Sequence, residues 1–265
     1  MALVKSRAIV LRNYRLGETS KVVVCYTREH GKVRLVAKGA RKGGGRFGAA
    51  LEPFVVSGVV FYLRPGRELS LLSEAVIERG FPELRRDVVR QSYAGAVIEL
   101  VDLLVTGESP DPPLFDLVER TLEETACVPP DALDPALWRF ELRLAAALGY
   151  APRLEACAGC GGPVGNGTSF SPELGGLVCT RCGGVRERGS AGGKAARVLA
   201  TLAKTEDHVG ELDDVERDEI GELLTEFLGT HAGRPIKLRS MQFLAQVRRV
   251  ERSRTEPGRN DDEDT

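Results

Sequence analysis

Long apolar runs are missing from this 265-residue chain. The longest, such as Phe54 to Leu63, stops well short of the ~18 residues a membrane helix needs, and the amino-terminal MALVKSRAIVLR has no continuous apolar signal segment. A cytoplasmic location is therefore expected. Histidine is scarce: His30, His208 and His231 each stand in a polar or turn context, and none is near another in sequence. No H-E-x-x-H, G-x-S-x-G or paired-carboxylate motif occurs, which removes the commonest zinc-hydrolase and serine-hydrolase arrangements. The expectation is a binding protein, not an enzyme. Net charge is also nearly absent, at −1.

That small net charge hides a strong asymmetry. Residues 1 to 80 hold fifteen Lys and Arg against six Asp and Glu, whereas residues 99 to 139 hold two against ten. A basic first part suits a polyanionic partner, nucleic acid above all, although mixed-sign surfaces also serve solubility alone. The 42% hydrophobic and 28% charged composition is that of an ordinary globular chain, long enough for two modest domains or one large one.

The first eighty residues alternate as strands do. VKSRAIVLRNY (Val4 to Tyr14), KVVVCYT (Lys21 to Thr27), KVRLVAK (Lys32 to Lys38), FVVSGVVFYL (Phe54 to Leu63) and ELSLLSEAVI (Glu68 to Ile77) are separated by turn-forming segments, RPGR among them. Five short strands without a helix-length gap predict a small antiparallel barrel; an open sheet or an SH3-like barrel would also satisfy the pattern. Helical spacing then begins. It predicts one helix through Leu84 to Val105, a second from Leu114 to about Thr125, and a third from about Pro135 to Leu148 with Asp134 as N-cap. Helical spacing resumes around Ala195 to Leu202, Ile220 to Leu228 and Leu238 to Val247, so residues 151–190 read as an insert in a helical domain. The fold expected is multidomain α+β: a barrel over 1–80, helices over 81–150 and 191–250, the insert, and a disordered tail over 251–265.

Within the insert, Cys157, Cys160, Cys179 and Cys182 make C-x2-C-x18-C-x2-C. Each pair forms one tight knuckle, and this spacing is that of a four-thiolate zinc site. Four protein ligands leave no open position, so one structural Zn2+ per chain is expected to hold the fold and not to activate water. A glycine pair follows each knuckle, where backbone N–H groups can approach the sulfurs. Cys25 and Cys127 lie in apolar segments and read as core residues.

KGARKGGGRFG, Lys38 to Gly48, contains the G-x-G-x-x-G of a dinucleotide fingerprint, yet Pro53 and a new strand follow where a helix would have to open. What remains is a basic loop between two strands, carrying Lys38, Arg41, Lys42 and Arg46, flanked by Arg28, Lys32 and Arg34. Such cations neutralise phosphates and release counterions. Tyr14, Tyr26, Phe47 and Tyr62 are candidates for base stacking. GSAGGKAA, Gly189 to Ala196, fails as a P-loop because Ala195 stands where a magnesium-binding hydroxyl is required; it reads as a linker and helix start.

The order GETSKVVVCYTREHGKVRLVAKGARK, RFGAALEPF, helices, C-x2-C…C-x2-C and the late KLRSMQFL resembles the RecO family of bacterial recombination mediators over roughly residues 3 to 248. The resemblance implies an amino-terminal OB-fold, a helical domain and a zinc module. It further implies a non-enzymatic role in recombinational repair of DNA damage at the nucleoid. Its elements are binding single- and double-stranded DNA, annealing complementary strands, and loading RecA together with RecR and single-stranded-DNA-binding protein (SSB). By the family's pattern the four cysteines carry over as metal ligands and Lys38, Arg41 and Lys42 as DNA contacts, with Arg46 following by position. Lys237, Arg239, Arg248 and Arg249 are partner-facing candidates on charge alone. The competing expectation is a zinc-ribbon adaptor that binds proteins without DNA.

Overall fold

The computed structural model describes residues 2–41, 47–63, 66–107, 109–165, 167–183, 190–204 and 209–255. Strands β1 (Ala2–Leu16), β2 (Ser20–Thr27), β3 (Gly31–Ala37), β4 (Val55–Leu63) and β5 (Ser70–Gly80) close into a barrel in the order β1-β2-β3-β5-β4. Every pairing is antiparallel except β3 with β5, where Leu35 and Val36 lie parallel to Ser70 and Leu71. This is the five-stranded barrel of the OB-fold. Period-two burial is clearest on β3: Gly31, Val33, Leu35 and Ala37 point inward, and Lys32, Arg34 and Val36 outward.

The barrel has two apolar sides. Its interior holds Ala8, Val10, Val23, Cys25, Val33, Leu35, Val59 and Phe61, with Phe47 and Leu51 from the β3–β4 connection packed among them. Burial pushes the Cys25 thiol up to about 12, which leaves it a small apolar filler. Part of the outer surface (Ile9, Leu11, Val24, Tyr26, Phe54 and Val56) belongs instead to the core of the helical domain. A bulge between Val10 and Arg12 lets β1 present both Leu11 and Arg12 towards those helices.

The helical domain comprises α1 (Glu83–Arg86), α2 (Val88–Leu104), α3 (Pro112–Cys127), α4 (Leu133–Ala147), α5 (Ser190–Lys204), α6 (Asp214–His231) and α7 (Arg239–Thr255). Short strands β6 (Ser169–Ser171) and β7 (Gly176–Val178) lie in the cysteine-bearing insert. The single helix expected from Leu84 to Val105 is broken at Asp87, which is extended and caps α2 through the amides of Val89 and Arg90. Asp134 is not the N-cap of α4. A 3-10 turn over Pro130–Ala132 carries the helical path in earlier, and the Asp134 carboxylate instead accepts from the Tyr93 hydroxyl and, at 2.9 Å, from Arg217. Cys127, expected in the core, is exposed at the end of α3. Helix α7 runs to Thr255, into the segment expected to be a tail from residue 251. Among the described residues, no helix is long and apolar enough to cross a membrane.

Ion pairs rim the seam between barrel and helices. Arg7 grips Glu119 of α3 through two bonds of 2.8 and 2.7 Å while its guanidinium lies over the Phe115 ring. Arg28 pairs bidentately with Asp116, at 2.9 and 3.0 Å. Arg12 and Lys32 converge on Asp102 at 2.7 Å each, and Lys32 also donates to the Asp102 and Val105 carbonyls at the end of α2. Arg79 pairs with Glu119 and Glu123. The acidic stretch of the sequence is thus the counter-surface of the basic one. Hydrogen bonding from Arg28 holds the Asp116 carboxyl below its ordinary range, so this pair stabilises the fold at neutral pH and is lost as pH falls through that lowered value.

Asp102→Ala should leave the exposed Arg12 and the mostly buried Lys32 without their shared, mostly buried anion, lowering stability by about 1–3 kcal/mol. Urea unfolding followed by circular dichroism measures this, with the exposed Arg34→Ala expected to cost less than about 0.5 kcal/mol as the comparison. Equal effects of the two substitutions would contradict an ionic seam.

Candidate nucleic-acid interface and metal centre

The seam sorts the cations of the barrel into two groups. Lys32 and Arg34 point outward from the same strand, yet Lys32 is held by α2 and Arg34 is exposed, with one ion pair at 3.2 Å to the exposed Glu68. Arg28, next to Asp116, is likewise engaged by the helical domain. Beyond Arg34 the outer face of β3 is free of the helices: Val36 is half-buried and Lys38 exposed. Arg41 donates from its guanidinium to the Gly17 carbonyl at 2.9 Å and from its amide to Thr19 at 3.0 Å, tying the basic β3–β4 loop to the β1–β2 loop. Gly17 at φ 62° and Gly39 at φ 73° supply the left-handed turns that this crossing requires. Phe47 anchors the far end of the loop in the barrel interior. Lys42 and Arg46 lie outside the described residues. Lys38 and Arg41 have no carboxylate partner among the described residues, nor do the exposed Lys5, Arg15 and Arg67.

The aromatic candidates separate in the same way. Tyr26 is fully buried against Phe115 at the seam, and Phe47 is core, so neither offers a ring to a base. Tyr14 is 44% exposed and Tyr62 half-buried. Pairing registers place them at the two ends of one cross-strand row, in which Val22 is itself buried: Tyr14 beside Val22, Val22 beside Val36, Val36 beside Leu71, and Leu71 beside Tyr62. An apolar row with an aromatic at each end crosses the strands, and Arg34 and Lys38 flank it on β3.

In the insert the four cysteine sulfurs lie within 4.8 Å of one another. Sγ of Cys160 and Cys179 are 3.8 Å apart, the edge expected of a tetrahedron with about 2.3 Å metal–sulfur bonds. Gly161, at φ 72°, turns the first knuckle, and the Cys179 amide donates to the Cys157 sulfur at 3.3 Å. That amide and the Cys160 amide pull the Cys157 thiol down to about 6, whereas Cys182, whose S–H donates to the Cys160, Cys179 and Cys157 sulfurs, is pushed up to about 12. Four thiolates so close cannot all ionise without a cation between them, and the donor set fits a soft tetrahedral ion. Arg181, whose guanidinium stands 4.0 Å from the Cys160 sulfur, was not legible as part of this centre from spacing alone. Lys194, of the P-loop-like segment, pairs with Glu216 at 2.5 Å inside the helical domain.

Comparison with known proteins closes the assignment. Residues 1–81 match the family model "Recombination protein O N terminal" and residues 85–240 match "Recombination protein O C terminal". The chain belongs to the RecO family. The protein named DNA repair protein RecO of Anaeromyxobacter sp. strain K is 38% identical over 256 residues, covering 93% of this chain and 98% of that one. Its namesake in Pelobacter propionicus is 33% identical over 243 residues, 92% and 96% of the two chains. A third, from Pelotomaculum thermopropionicum, is 41% identical over 182 residues, 69% of each. The two RecO models meet where β5 ends at Gly80, so the barrel is the amino-terminal module and the helices with their cysteine insert the carboxy-terminal one.

A closed four-thiolate centre predicts about one tightly bound metal ion per chain by elemental analysis. Stripping it with a chelator under denaturing conditions should expose four additional thiols to a colorimetric reagent. Four thiols already reactive in the native protein as purified would contradict the centre.

Proposed function

We propose that this RecO-family chain is a non-enzymatic mediator of recombinational DNA repair. It binds single- and double-stranded DNA, anneals complementary strands, and acts with RecR and SSB to load RecA on single-stranded DNA. The observation that carries this reading is the exposed half of the β3 outer face, with Arg34, Lys38 and Arg41 beside an apolar row, on a barrel whose Arg7, Arg12, Arg28, Lys32 and Arg79 are instead paired with carboxylates of its own helices. On an OB-fold, strands 2–3 and their adjoining loops form the nucleic-acid face. Lys42 and Arg46 extend the phosphate track along the loop, and Tyr14 and Tyr62 supply rings for unstacked bases. Arg28 and Lys32 contribute indirectly, by fixing the barrel on its support. The metal is Zn2+, one per chain, and its role is to hold the insert in shape. The cell compartment is the bacterial cytoplasm, at the nucleoid.

Affinity for a single-stranded oligonucleotide, titrated by fluorescence anisotropy against salt, is the test. Three to four phosphate contacts predict a log–log slope of about −2 to −3. Replacing Lys38, Arg41, Lys42 and Arg46 together by Ala should flatten that slope and weaken binding at least about tenfold at low salt while leaving the melting temperature nearly unchanged. A flat salt response of the intact protein would favour the protein-only adaptor. In the same samples, labelled DNA incubated with divalent metal should remain intact; steady product formation would overturn the non-enzymatic assignment.

A further inference from the structure

On the helical domain, α4, α6 and α7 enclose a groove of about 960 Å³ that is lined by no described barrel residue and that the reading above does not use. Its floor includes Trp138, the sole tryptophan of the chain, with Met241 and Leu244 opposite. The floor also includes a carboxyl group. Glu141 is 2% exposed, and its Oε2 has no hydrogen-bond partner among the described residues. Burial, with the charge of Asp134 adding to it, pushes this carboxyl up to about 8, as befits an acid with no cation beside it. A buried unpartnered carboxyl costs stability and is retained in an apolar groove at a net disadvantage to the free protein.

The α6 wall has the same sign. Asp218, Glu222 and Glu226 repeat every four residues along the groove, a like-charge spacing that disfavours the helix. None of the three has an ion pair among the described residues. The cations at the groove are mostly committed elsewhere: Arg217 to Asp134, Arg234 to the Leu103 carbonyl and Arg248 to the Tyr93 hydroxyl, leaving Lys237. Two independent features, an unpartnered buried acid and an uncompensated acidic wall, therefore call for the same missing group.

We propose that this groove is a docking site for an amphipathic helix of a partner protein that carries an arginine or lysine on its apolar face, the cation meeting the Glu141 carboxylate. A third helix laid between α6 and α7 completes the packing of the bundle, its apolar residues covering the half-buried Met241 above Trp138 and its flanking cations meeting Asp218, Glu222 and Glu226. The site lies on the helical domain and does not depend on DNA binding by the barrel.

Trp138 reports occupancy directly in the full-length protein. The probes are synthetic leucine–alanine helices of about fifteen residues without aromatic side chains, bearing at the centre of the apolar face Arg, its neutral isostere citrulline, or Glu. The Arg helix should shift Trp138 emission saturably and bind at least about tenfold more tightly than the other two. Glu141→Gln should bring it down to the citrulline level. The exposed pair Glu222→Gln with Glu226→Gln should weaken the Arg helix severalfold, and decides the matter if Glu141→Gln fails to fold. Equal binding of the three helices, tighter binding of the Glu helix, or no response to any of them would overturn the proposal. So would a Trp138 shift that follows the protein's own concentration, which would make a second copy the occupant.

Discussion

Arg7, Arg12, Arg28, Lys32 and Arg79 hold the barrel against Asp102, Asp116, Glu119 and Glu123 on α2 and α3, around a shared apolar seam that includes Tyr26 and Phe115. A small barrel has little interior of its own to bury, and here part of its outer surface becomes the core of the next domain. The ion pairs add modest energy individually. Their larger effect is on orientation, because bidentate guanidinium–carboxylate contacts at Arg7 and Arg28 fix direction as well as distance. Which barrel surface remains open to a ligand is decided by this seam.

The same arrangement explains why a chain of net charge −1 can present a basic face. The acidic segment does not neutralise the barrel everywhere; it covers one side and takes up the cations there. Along β3 the boundary falls between Lys32 and Arg34, two residues apart on one face. What is left uncovered continues into the β3–β4 loop, itself tied through Arg41 to the β1–β2 loop. A polyanion would therefore meet a surface whose two ends are already connected.

Much of this was legible in the amino-acid order, and the rest failed for identifiable physical reasons. Alternation located all five strands within a few residues, since a barrel interior imposes period two directly. Alternation also distinguishes inward from outward, but not an open outer face from one covered by another domain. Tyr14 and Tyr26 therefore looked equivalent until the helices were in place, and so did Lys32 and Arg34. Cys127 was misjudged because an apolar neighbourhood in sequence does not say which side of α3 its own side chain takes. Asp134 has the sequence marks of a cap, with Pro135 after it, but the preceding 3-10 turn pre-empts that role. The cysteine quartet needed no tertiary information beyond the meeting of two knuckles, and the structure brings them together. The groove at Glu141 could not have been read from sequence, because a glutamate within a helix carries no sign of burial.

The central claim is that the supporting helices leave one face of the barrel for nucleic acid. Hydrogen–deuterium exchange of the intact protein with and without a saturating single-stranded oligonucleotide tests it most directly. The account predicts slower exchange in the β1–β2 loop, the second half of β3 and the loop after it, with α2 and α3 unchanged. Slowing confined to the helices or to the cysteine insert, with the barrel loops unaffected, would contradict it.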